Sequence, residues 1–416
     1  MHEAVTRATI RQCAVLAGGL GTRLGPQTAR LPKPLLACGD RPFLAWLLRE
    51  LARFGVEDVV LLAGHLSEQV EDALASLAAM LPRAMRISVS AEPSPAGTGG
   101  ALLHARDRLD DRFLLVNGDS LLDGNLAALL AAAATDDPGE VVGRLALRAL
   151  PDASRYGVAE LAGERIVAFH ERPKPGAPGT INAGIYVLGR RVLDDLAPMC
   201  SLERDVLPRL ATRGALAGTV IDGWFIDIGV PADLARAQAE LPRRLRRPAL
   251  FLDRDGVLNQ DLGYVGSRGR FHWTEGARPA IRAATDAGWH VFVVTNQSGV
   301  ARGFYDEAAV RDLHAWMTDE ARRAGGTIDD VRYCPFHPAA ALPAYRRDSD
   351  WRKPAPGMLL DLIHAWELDP AACVLVGDQP TDLAAAAAAG VAAHLFTGDD
   401  LHALVDAIVQ PPRELS

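Results

Sequence analysis

The stretch "FLDRDGVLNQ", residues 251–260, contains Asp253 directly after apolar residues, and a second aspartate, Asp255, follows two residues later. The apolar residues before Asp253 are typical of a buried strand. In an open parallel sheet, ligands bind outside the carboxyl ends of the strands. Taken alone, the stretch is explained equally well by a local Asp-Gly turn. The rest of this half of the chain must decide between the two interpretations.

Later strand ends in the same half carry further polar residues. Thr295 ends "VFVVT" and runs into "NQSG", and Lys353 lies in "RKPAPGM". Asp378 ends "VLVGD", with Asp382 four residues further on. These strand patterns, together with "DDVRYCP" and "AAHLFTG", alternate with helical ones and predict a doubly wound α/β domain. We therefore expect the polar residues to meet at one edge of its sheet.

In this order, these residues resemble the signature of the haloacid dehalogenase-like phosphatases. The resemblance implies that Asp253 attacks a phosphate ester and forms an aspartyl-phosphate. It implies that Asp255 protonates the leaving alkoxide and then activates water. Mg²⁺ would bridge Asp253, Asp378 and the backbone carbonyl of Asp255 and lower the repulsion between nucleophile and phosphate. Thr295 and Lys353 would hold phosphate oxygens.

Further motifs in this half narrow the class of substrate. "DGVLN", "GYV" (263–265), "TNQSGVARG" (295–303), "YCP" and "RKPAPGM" resemble the D-glycero-D-manno-heptose 1,7-bisphosphate phosphatases over about residues 248–398. Histidinol-phosphate phosphatases are close relatives. Only 42 residues separate Asp253 from Thr295, which leaves no room for a large cap domain. The resemblance implies a small sugar phosphate, contacted by Asn296, Arg302 and Arg352.

A structural zinc site of these phosphatases is altered in this chain. Members that hold zinc carry Cys-x-His and then Cys-x-Cys, and the four places here are Cys334, Phe336, Ser349 and Trp351. One thiolate with an off-register His337 does not make a closed four-ligand site. We therefore expect no zinc. We expect Phe336 and Trp351 to pack together and hold the loop instead.

The N-terminal half begins with a glycine-rich loop, "LAGGLGTRLGPQTARLPKPL", residues 16–35, which follows a strand and precedes a helical pattern. Backbone N–H groups in such a loop can surround phosphate oxygens. No Gly-Lys-Ser/Thr of a P-loop is present, and the glycine spacing is not the dinucleotide fingerprint. An ordinary structural turn is the alternative. The candidates for phosphate binding are Gly18, Gly19, Gly21, Thr22, Arg23 and Lys33.

Carboxylates also end strands in this half. Asp119 follows "RFLLVNG", and Asp227 lies in "GWFIDIG". Two carboxylates can hold Mg²⁺ while phosphates fill its other positions. A second glycine-rich loop, "GTGGA" (97–101), begins five residues after Glu92.

The motifs "LAGGLGTRL…LPKPL", "GTGGA", "NGD", "INAGIYVL" and "WFIDIGVPADLARAQ" occur in the order found in sugar-1-phosphate nucleotidyltransferases. The resemblance covers about residues 11–240 and is strongest to heptose- and mannose-1-phosphate guanylyltransferases. It implies that a sugar-1-phosphate oxygen attacks the α-phosphorus of an NTP and expels pyrophosphate. Arg23 and Lys33 would offset phosphate charge, while Asp119 and Asp227 hold the metal.

The same resemblance assigns the remaining pocket residues. Glu92 and Gly99 would lie near the base, and Glu171 and Asn182 near the sugar hydroxyls. The family's Glu-Lys-Pro is Glu-Arg-Pro here, so Arg172 stands where a lysine is usual. Arginine keeps the charge and can bind a phosphate through two nitrogens.

Composition sets the class of protein. The chain has 416 residues, 49% hydrophobic and 23% charged, with a net charge of −8, which makes nucleic acid a poor candidate partner. No apolar run is long enough to span a bilayer, and the N-terminus lacks a signal-peptide core. The five scattered cysteines favour a reduced, cytoplasmic protein. We predict domains at 1–240 and 249–416, joined by an arginine-rich linker at 241–248.

The predicted fold is thus two doubly wound α/β domains, the first Rossmann-like with a mixed sheet and the second without a large cap. Removing the 7-phosphate of heptose 1,7-bisphosphate leaves heptose 1-phosphate, which a nucleotidyltransferase can use. We expect two consecutive steps in one chain, with Mg²⁺ in both domains and GTP as the nucleotide. Mannose 1-phosphate with histidinol phosphate or another small phosphomonoester is one alternative, and a non-catalytic regulatory protein is another.

Overall fold

A computed structural model describes residues 9–170, 176–398 and 400–410. It divides into two compact units, Met1–Leu245 and Arg246–Ser416, and the predicted two-domain α/β fold is confirmed. Within the described residues, no helix combines the length and apolar character needed to cross a membrane.

The N-terminal unit contains thirteen strands and seven helices. Its strands are β1 (Gln12–Leu16), β2 (Ala37–Cys38), β3 (Arg41–Pro42), β4 (Asp58–Ala63), β5 (Arg86–Ala91), β6 (Arg112–Asn117), β7 (Ser120–Gly124), β8 (Gly143–Leu150), β9 (Val158–Ala162), β10 (Arg165–His170), β11 (Gly179–Gly189), β12 (Leu216–Val220) and β13 (Gly223–Asp227). Its helices are α1 (Phe43–Arg53), α2 (Ser67–Asp72), α3 (Leu74–Ala79), α4 (Gly97–His104), α5 (Leu126–Thr135), α6 (Leu207–Thr212) and α7 (Pro231–Arg244).

Nine of these strands form one mixed sheet in the order β5-β4-β1-β6-β11-β8-β12-β10-β9. The first four are parallel, and β11 runs antiparallel to both of its main neighbours. Both faces of β1 are buried, since Cys13 and Val15 belong to one core cluster and Ala14 to the other. The sheet therefore forms the middle layer of the unit, as the near-continuous apolar strands predict.

A short two-stranded ribbon of β7 and β13 brings the two acidic motifs of this unit together. Asp227 pairs with Ser120 in the antiparallel register, and the N–H of Ile228 donates to the carbonyl of Asp119 at 2.9 Å. Two strands about a hundred residues apart in sequence thus place Asp119 beside Asp227.

The C-terminal unit is smaller than the first, and its sheet is purely parallel. Its strands are β14 (Ala249–Leu252), β15 (His290–Asn296), β16 (Asp330–Cys334), β17 (Cys373–Gly377) and β18 (Ala392–Leu395). Its helices are α8 (Ala277–Asp286), α9 (Ser298–Ala301), α10 (Glu307–Arg323), α11 (Gly357–Trp366), α12 (Pro380–Ala388) and α13 (Leu401–Val409). Helix α7 of the first unit continues through Pro242 to Arg244, so the first half of the predicted linker is helical.

The strand order of this sheet is β16-β15-β14-β17-β18. Residues of β14 alternate between two cores, with Leu250 and Leu252 on one face and Ala249 and Phe251 on the other. Because the chain leaves β14 toward β15 on one side and returns to β17 on the other, the end of β14 is a topological switch point, where open α/β sheets bind ligands. Asp253 is the next residue.

Aromatic packing under this sheet supports a stability prediction. Phe292 is fully buried, and its ring lies 5.3 Å from those of Phe251 and Trp366. We expect Phe292→Ala to lower the free energy of unfolding of this unit by about 3–5 kcal/mol through lost contacts and a cavity. Urea denaturation measures the change. Phe304→Ala is the control, because that ring is 62% exposed. Equal effects of the two variants would contradict the assigned core.

Candidate active sites

The C-terminal site is built around the buried ammonium group of Lys353. Its Nζ lies 2.9 Å from Oδ1 of Asp253 and 2.6 Å from Oδ1 of Asp382, and it donates to the carbonyl of Val294 at 2.9 Å. Lys353 is 4% exposed and Asp382 is completely buried. The main chain of Lys353 is held by Asn296, whose side-chain amide bonds its N–H and its carbonyl, both at 3.1 Å. Asn296, predicted to contact substrate, therefore positions the lysine.

Burial dominates the electrostatics of the predicted nucleophile. It raises the pKa of Asp253 to about 7, with Lys353 opposing the shift and Asp382 adding to it. Burial lowers the pKa of Lys353, but the charges of Asp253 and Asp382 outweigh that effect and leave the pKa raised. The site thus concentrates negative charge that a bound cation would stabilise.

The predicted metal ligands meet at this point. Asp253, Asp378 and Asp382 each offer a carboxylate oxygen, and these atoms lie within 4.8 Å of one another. Oδ1 of Asp378 is buried without a hydrogen-bond partner, whereas Asp382 forms an ion pair with Lys353 through Oδ1 and accepts from the N–H of Gln379 through Oδ2. Gly256 makes the room, because a Cβ there would overlap Oδ2 of Asp378. An unpartnered carboxylate oxygen beside a second carboxylate suits a hard cation such as Mg²⁺.

The side chain of Asp255 lies outside this group. Arg254, which is completely buried, binds both of its oxygens at 2.9–3.0 Å. Asn259 donates to Oδ1 at 3.0 Å and Gln297 to Oδ2 at 2.9 Å. Asp382, which the sequence did not single out as a metal ligand, joins Asp253 and Asp378 in this cluster. The backbone carbonyl of Asp255 stays a prediction.

Thr295 and the two predicted arginines surround the same edge of the sheet. Thr295 is 1% exposed and its Oγ1 accepts from Gln297 at 2.9 Å. Arg302 is exposed, with its guanidinium 5.5 Å from the ring of Tyr264. Burial, with the charge of Arg302 adding to it, lowers the pKa of Arg352. The positive charge of Arg302 thus acts on Arg352.

The loop at the altered zinc positions is held by aromatic contacts. The ring of Phe336 lies 5.9 Å from that of Tyr345, and the guanidinium of Arg347 stands 3.6 Å over it. Phe336 and Trp351 both pack against the apolar cluster that contains Cys334, but the ring pair of Phe336 is with Tyr345. Among the described residues, the aspartate cluster is the one group of three or more side chains arranged to bind a metal.

The N-terminal site is a cavity of about 360 Å³ beneath the glycine-rich loop. Five of the predicted residues line it, namely Gly18, Gly19, Lys33, Glu92 and Asp119. The loop enters a kinked 3-10 helix, Thr22–Gln27, rather than an α-helix. Within the described chain, Gly21, Thr22 and Gly99 are not part of the lining.

Lys33 joins the two predicted metal ligands of this unit. It forms ion pairs with Asp119 and with Asp227, the latter at 3.6 Å. A Cβ at Gly229 would lie 2.9 Å from Nη2 of Arg23 and 3.4 Å from Nζ of Lys33, so both cations converge there. Burial, followed by the charge of Asp119, raises the pKa of Asp227. Two carboxylates that one lysine contacts together can offer oxygen ligands to a divalent cation.

Other predicted residues have packing roles or lie elsewhere. Gly99 approaches Cys200, whose sulfur a Cβ would overlap, and its N–H donates to the Cys200 carbonyl at 2.9 Å. It therefore fits the loop against the protein rather than against a base. Glu171 and Arg172 lie outside the described residues.

Three lining residues with polar side chains were not predicted, namely Thr98, Asn117 and Glu203. Asn182 is buried and donates to the hydroxyl of Tyr186 at 2.7 Å and to Glu203 at 3.4 Å, which connects it to the cavity wall. Glu203 comes from a π-helical turn, Leu202–Val206, which a sequence pattern does not reveal.

Comparisons with known proteins agree with the two units. The nucleotidyl transferase family model matches residues 13–244, and a HAD-hydrolase-like model matches residues 350–412. A D-glycero-beta-D-manno-heptose-1,7-bisphosphate 7-phosphatase from Rhodopseudomonas palustris is 49% identical over 164 residues, covering 39% of this chain and 91% of that protein.

Two similarities concern the N-terminal unit. A probable mannose-1-phosphate guanylyltransferase 1 from Oryza sativa is 35% identical over 227 residues, covering 53% of this chain and 61% of that protein. The crystal structure of HddC from Yersinia pseudotuberculosis is 28% identical, with a TM-score of 0.49, covering 55% of this chain and 98% of that one.

The buried His314 gives a pH prediction. Burial, with the charge of Arg254 adding to it, lowers its pKa well below 6.5, and Nη1 of Arg254 lies 3.1 Å from its Nε2. The unfolded chain takes up a proton near pH 6.5 that the folded chain does not, so stability is lost as the pH falls through that value. Lowering the pH from 7.5 to 5.5 therefore reduces the free energy of unfolding by about 1.4 kcal/mol through this residue. His314→Gln, measured by urea denaturation, should reduce the pH dependence by that amount, and an unchanged pH dependence would contradict a neutral His314.

The aromatic loop gives a second prediction. Treatment with a zinc-selective chelator should leave the thermal midpoint of the protein unchanged, because apolar and cation–π contacts hold the loop. Phe336→Ala should lower the midpoint, since it removes the ring that Tyr345 and Arg347 contact. Metal analysis that finds one zinc per chain would overturn this interpretation.

Proposed function

The chain belongs to the nucleotidyl transferase family and, in its C-terminal unit, to the D-glycero-D-manno-heptose-1,7-bisphosphate 7-phosphatases, and we propose that it catalyses two consecutive steps toward a nucleotide-activated heptose. The C-terminal unit removes the 7-phosphate of heptose 1,7-bisphosphate. The N-terminal unit then transfers a nucleotidyl group to the heptose 1-phosphate and releases pyrophosphate. Membership of two enzyme families, with both acidic clusters retained, speaks against a non-catalytic regulatory role.

The observation that carries the phosphatase assignment is the placement of Asp253 at the switch point, paired with Lys353 at 2.9 Å. A carboxylate oxygen of Asp253 bonds to phosphorus as the bond to the sugar oxygen breaks, and Asp255 gives that oxygen its proton. Water then bonds to phosphorus and gives a proton to Asp255, which frees Asp253 and orthophosphate.

Charged groups around Asp253 have separate tasks in this proposal. Lys353 and Thr295 bind phosphate oxygens, and Asp253 and Asp378 hold Mg²⁺, which supplies charge neutralisation when it is bound. Arg302 and Arg352 bind the phosphate that is not transferred. These two cations are a reason to favour a bisphosphate over a monophosphate.

In the N-terminal unit, the cavity of about 360 Å³ receives the nucleotide beneath the Gly18–Gly19 turn. Lys33 and Arg23 offset the charge of the phosphates while the sugar-phosphate oxygen attacks the α-phosphorus and pyrophosphate leaves. Asp119 and Asp227 hold Mg²⁺. Burial raises the pKa of Glu92, whose Oε2 accepts from the N–H of Ala96 at 3.2 Å, and we place it on the base side of the cavity.

GTP is the proposed nucleotide, supported by the similarity to a probable mannose-1-phosphate guanylyltransferase. The same similarity favours mannose 1-phosphate as the second candidate sugar for this unit. NTP-dependent synthesis takes place in the cytoplasm, and five free, buried cysteines fit that compartment.

The test measures phosphate and pyrophosphate with matched variants of the full chain. Wild type with Mg²⁺ and heptose 1,7-bisphosphate should release phosphate, and adding GTP should yield pyrophosphate and GDP-heptose, identified by mass. Asp253→Asn should lower phosphate release by about 10³-fold or more, because it removes the nucleophile. Asp119→Asn should leave the release of phosphate unchanged and abolish the release of pyrophosphate.

Each variant is the control for the other unit. Asp253→Asn supplied with heptose 1-phosphate should still form GDP-heptose. Phosphate release that survives Asp253→Asn would refute the nucleophile, and turnover of mannose 1-phosphate in preference to heptose 1-phosphate would establish the second candidate.

A further inference from the structure

Gln297 connects three side chains of the C-terminal site, although neither the family pattern nor the chemistry above gives it a task. It is 1% exposed, immediately beyond β15. Its Nε2 donates to Oδ2 of Asp255 and to Oγ1 of Thr295, both at 2.9 Å. Its Oε1 accepts from the hydroxyl of Tyr305 at 2.9 Å.

Tyr305 is the partner of Gln297 at the carbonyl end of its amide. Its hydroxyl donates to Oε1, while Nε2 at the other end faces Asp255 and Thr295. Burial raises the pKa of Tyr305 to about 12, which keeps the donating proton in place. The chain makes space for this ring at two glycines, because a Cβ on Gly266 or on Gly299 would overlap it.

Every side chain that contacts the carboxylate of Asp255 is a donor. Arg254 supplies a guanidinium, and Asn259 and Gln297 supply amide protons. Three donors from separate positions in the chain therefore hold the side chain of Asp255 in one orientation.

We propose that Gln297, oriented by Tyr305, is a positioning residue for the hydrolysis of the aspartyl-phosphate. In that step the water oxygen bonds to phosphorus, the bond from phosphorus to Asp253 breaks, and the water proton passes to Asp255. Gln297 holds the side chain of Asp255 in the position from which it takes part in this transfer. The inference rests on the proposed phosphatase function and extends it to the second half of the reaction.

The proposal predicts a particular kinetic change, which we would measure on the full chain with Mg²⁺ and 4-nitrophenyl phosphate. A slower step after the phenolate has left lowers kcat and KM together and leaves kcat/KM unchanged. We expect Gln297→Met to lower kcat by about 10- to 100-fold, a part of what a general base contributes. A burst of nitrophenolate and a chain heavier by one phosphoryl group should accompany it. Hydroxylamine, which attacks acyl phosphates, should restore turnover.

Tyr305→Phe removes one oxygen and is the gentler variant. It should change the same parameters in the same direction by a few-fold, because the amide loses its fixed orientation. The matched control is Tyr333→Phe, which removes a hydroxyl that donates to Glu307 at 2.8 Å rather than to Gln297, and it should leave kcat and KM unchanged. If Gln297→Met fails to fold, as judged by circular dichroism, Tyr305→Phe alone decides the proposal.

Two results distinguish a failure of this inference from a failure of the proposed phosphatase function. A burst that persists in Asp253→Asn would refute the phosphatase mechanism itself. If Asp253→Asn abolishes the burst but Gln297→Met and Tyr305→Phe lower kcat/KM as much as kcat, with no phosphorylated chain, the mechanism stands. In that case only the proposed positioning role of Gln297 is refuted.

Discussion

The C-terminal site depends on one ammonium group that has almost no contact with water. Nζ of Lys353 is bound by the nucleophile Asp253, by Asp382 on α12 and by a carbonyl of β15. Taking such charges out of water is costly, and removing one partner leaves the others uncompensated. The loop that carries Lys353 must therefore lie close to β14, β15 and α12 at once. That requirement fixes the position of Asp253 more firmly than its own strand does.

The two units use the same electrostatic arrangement for different reactions. Lys33 lies between Asp119 and Asp227 as Lys353 lies between Asp253 and Asp382. In each case two carboxylates that would repel one another are kept together by a lysine. The arrangement keeps negative charge available for a cation while the lysine supplies a positive charge for phosphate. Nucleotidyl transfer and phosphate-ester hydrolysis share this need, although their sheets differ in topology.

Much of this could be predicted from the sequence because parallel strands end at one edge. Asp253, Thr295 and Asp378 follow apolar runs, and any such sheet brings their positions together. Side-chain contacts made by loops could not be predicted in that way. Gly99 faces Cys200 far along the chain, whereas Gln297 bonds Tyr305 and Phe336 pairs with Tyr345 nearby in sequence. In each case the partner depends on how an irregular segment folds, which local spacing does not reveal.

The loop fastened by Phe336, Tyr345 and Arg347 has a consequence for the conditions under which the enzyme can work. Relatives that close this loop with zinc depend on metal supply and on thiolates that oxidants attack. Here aromatic rings and a guanidinium contact one another in the loop, and Cys334 is buried. Our prediction that this loop holds no zinc implies that phosphate removal continues in a cell that is starved of zinc or under oxidative stress. A hard cation at the aspartates would then be the metal that this unit requires.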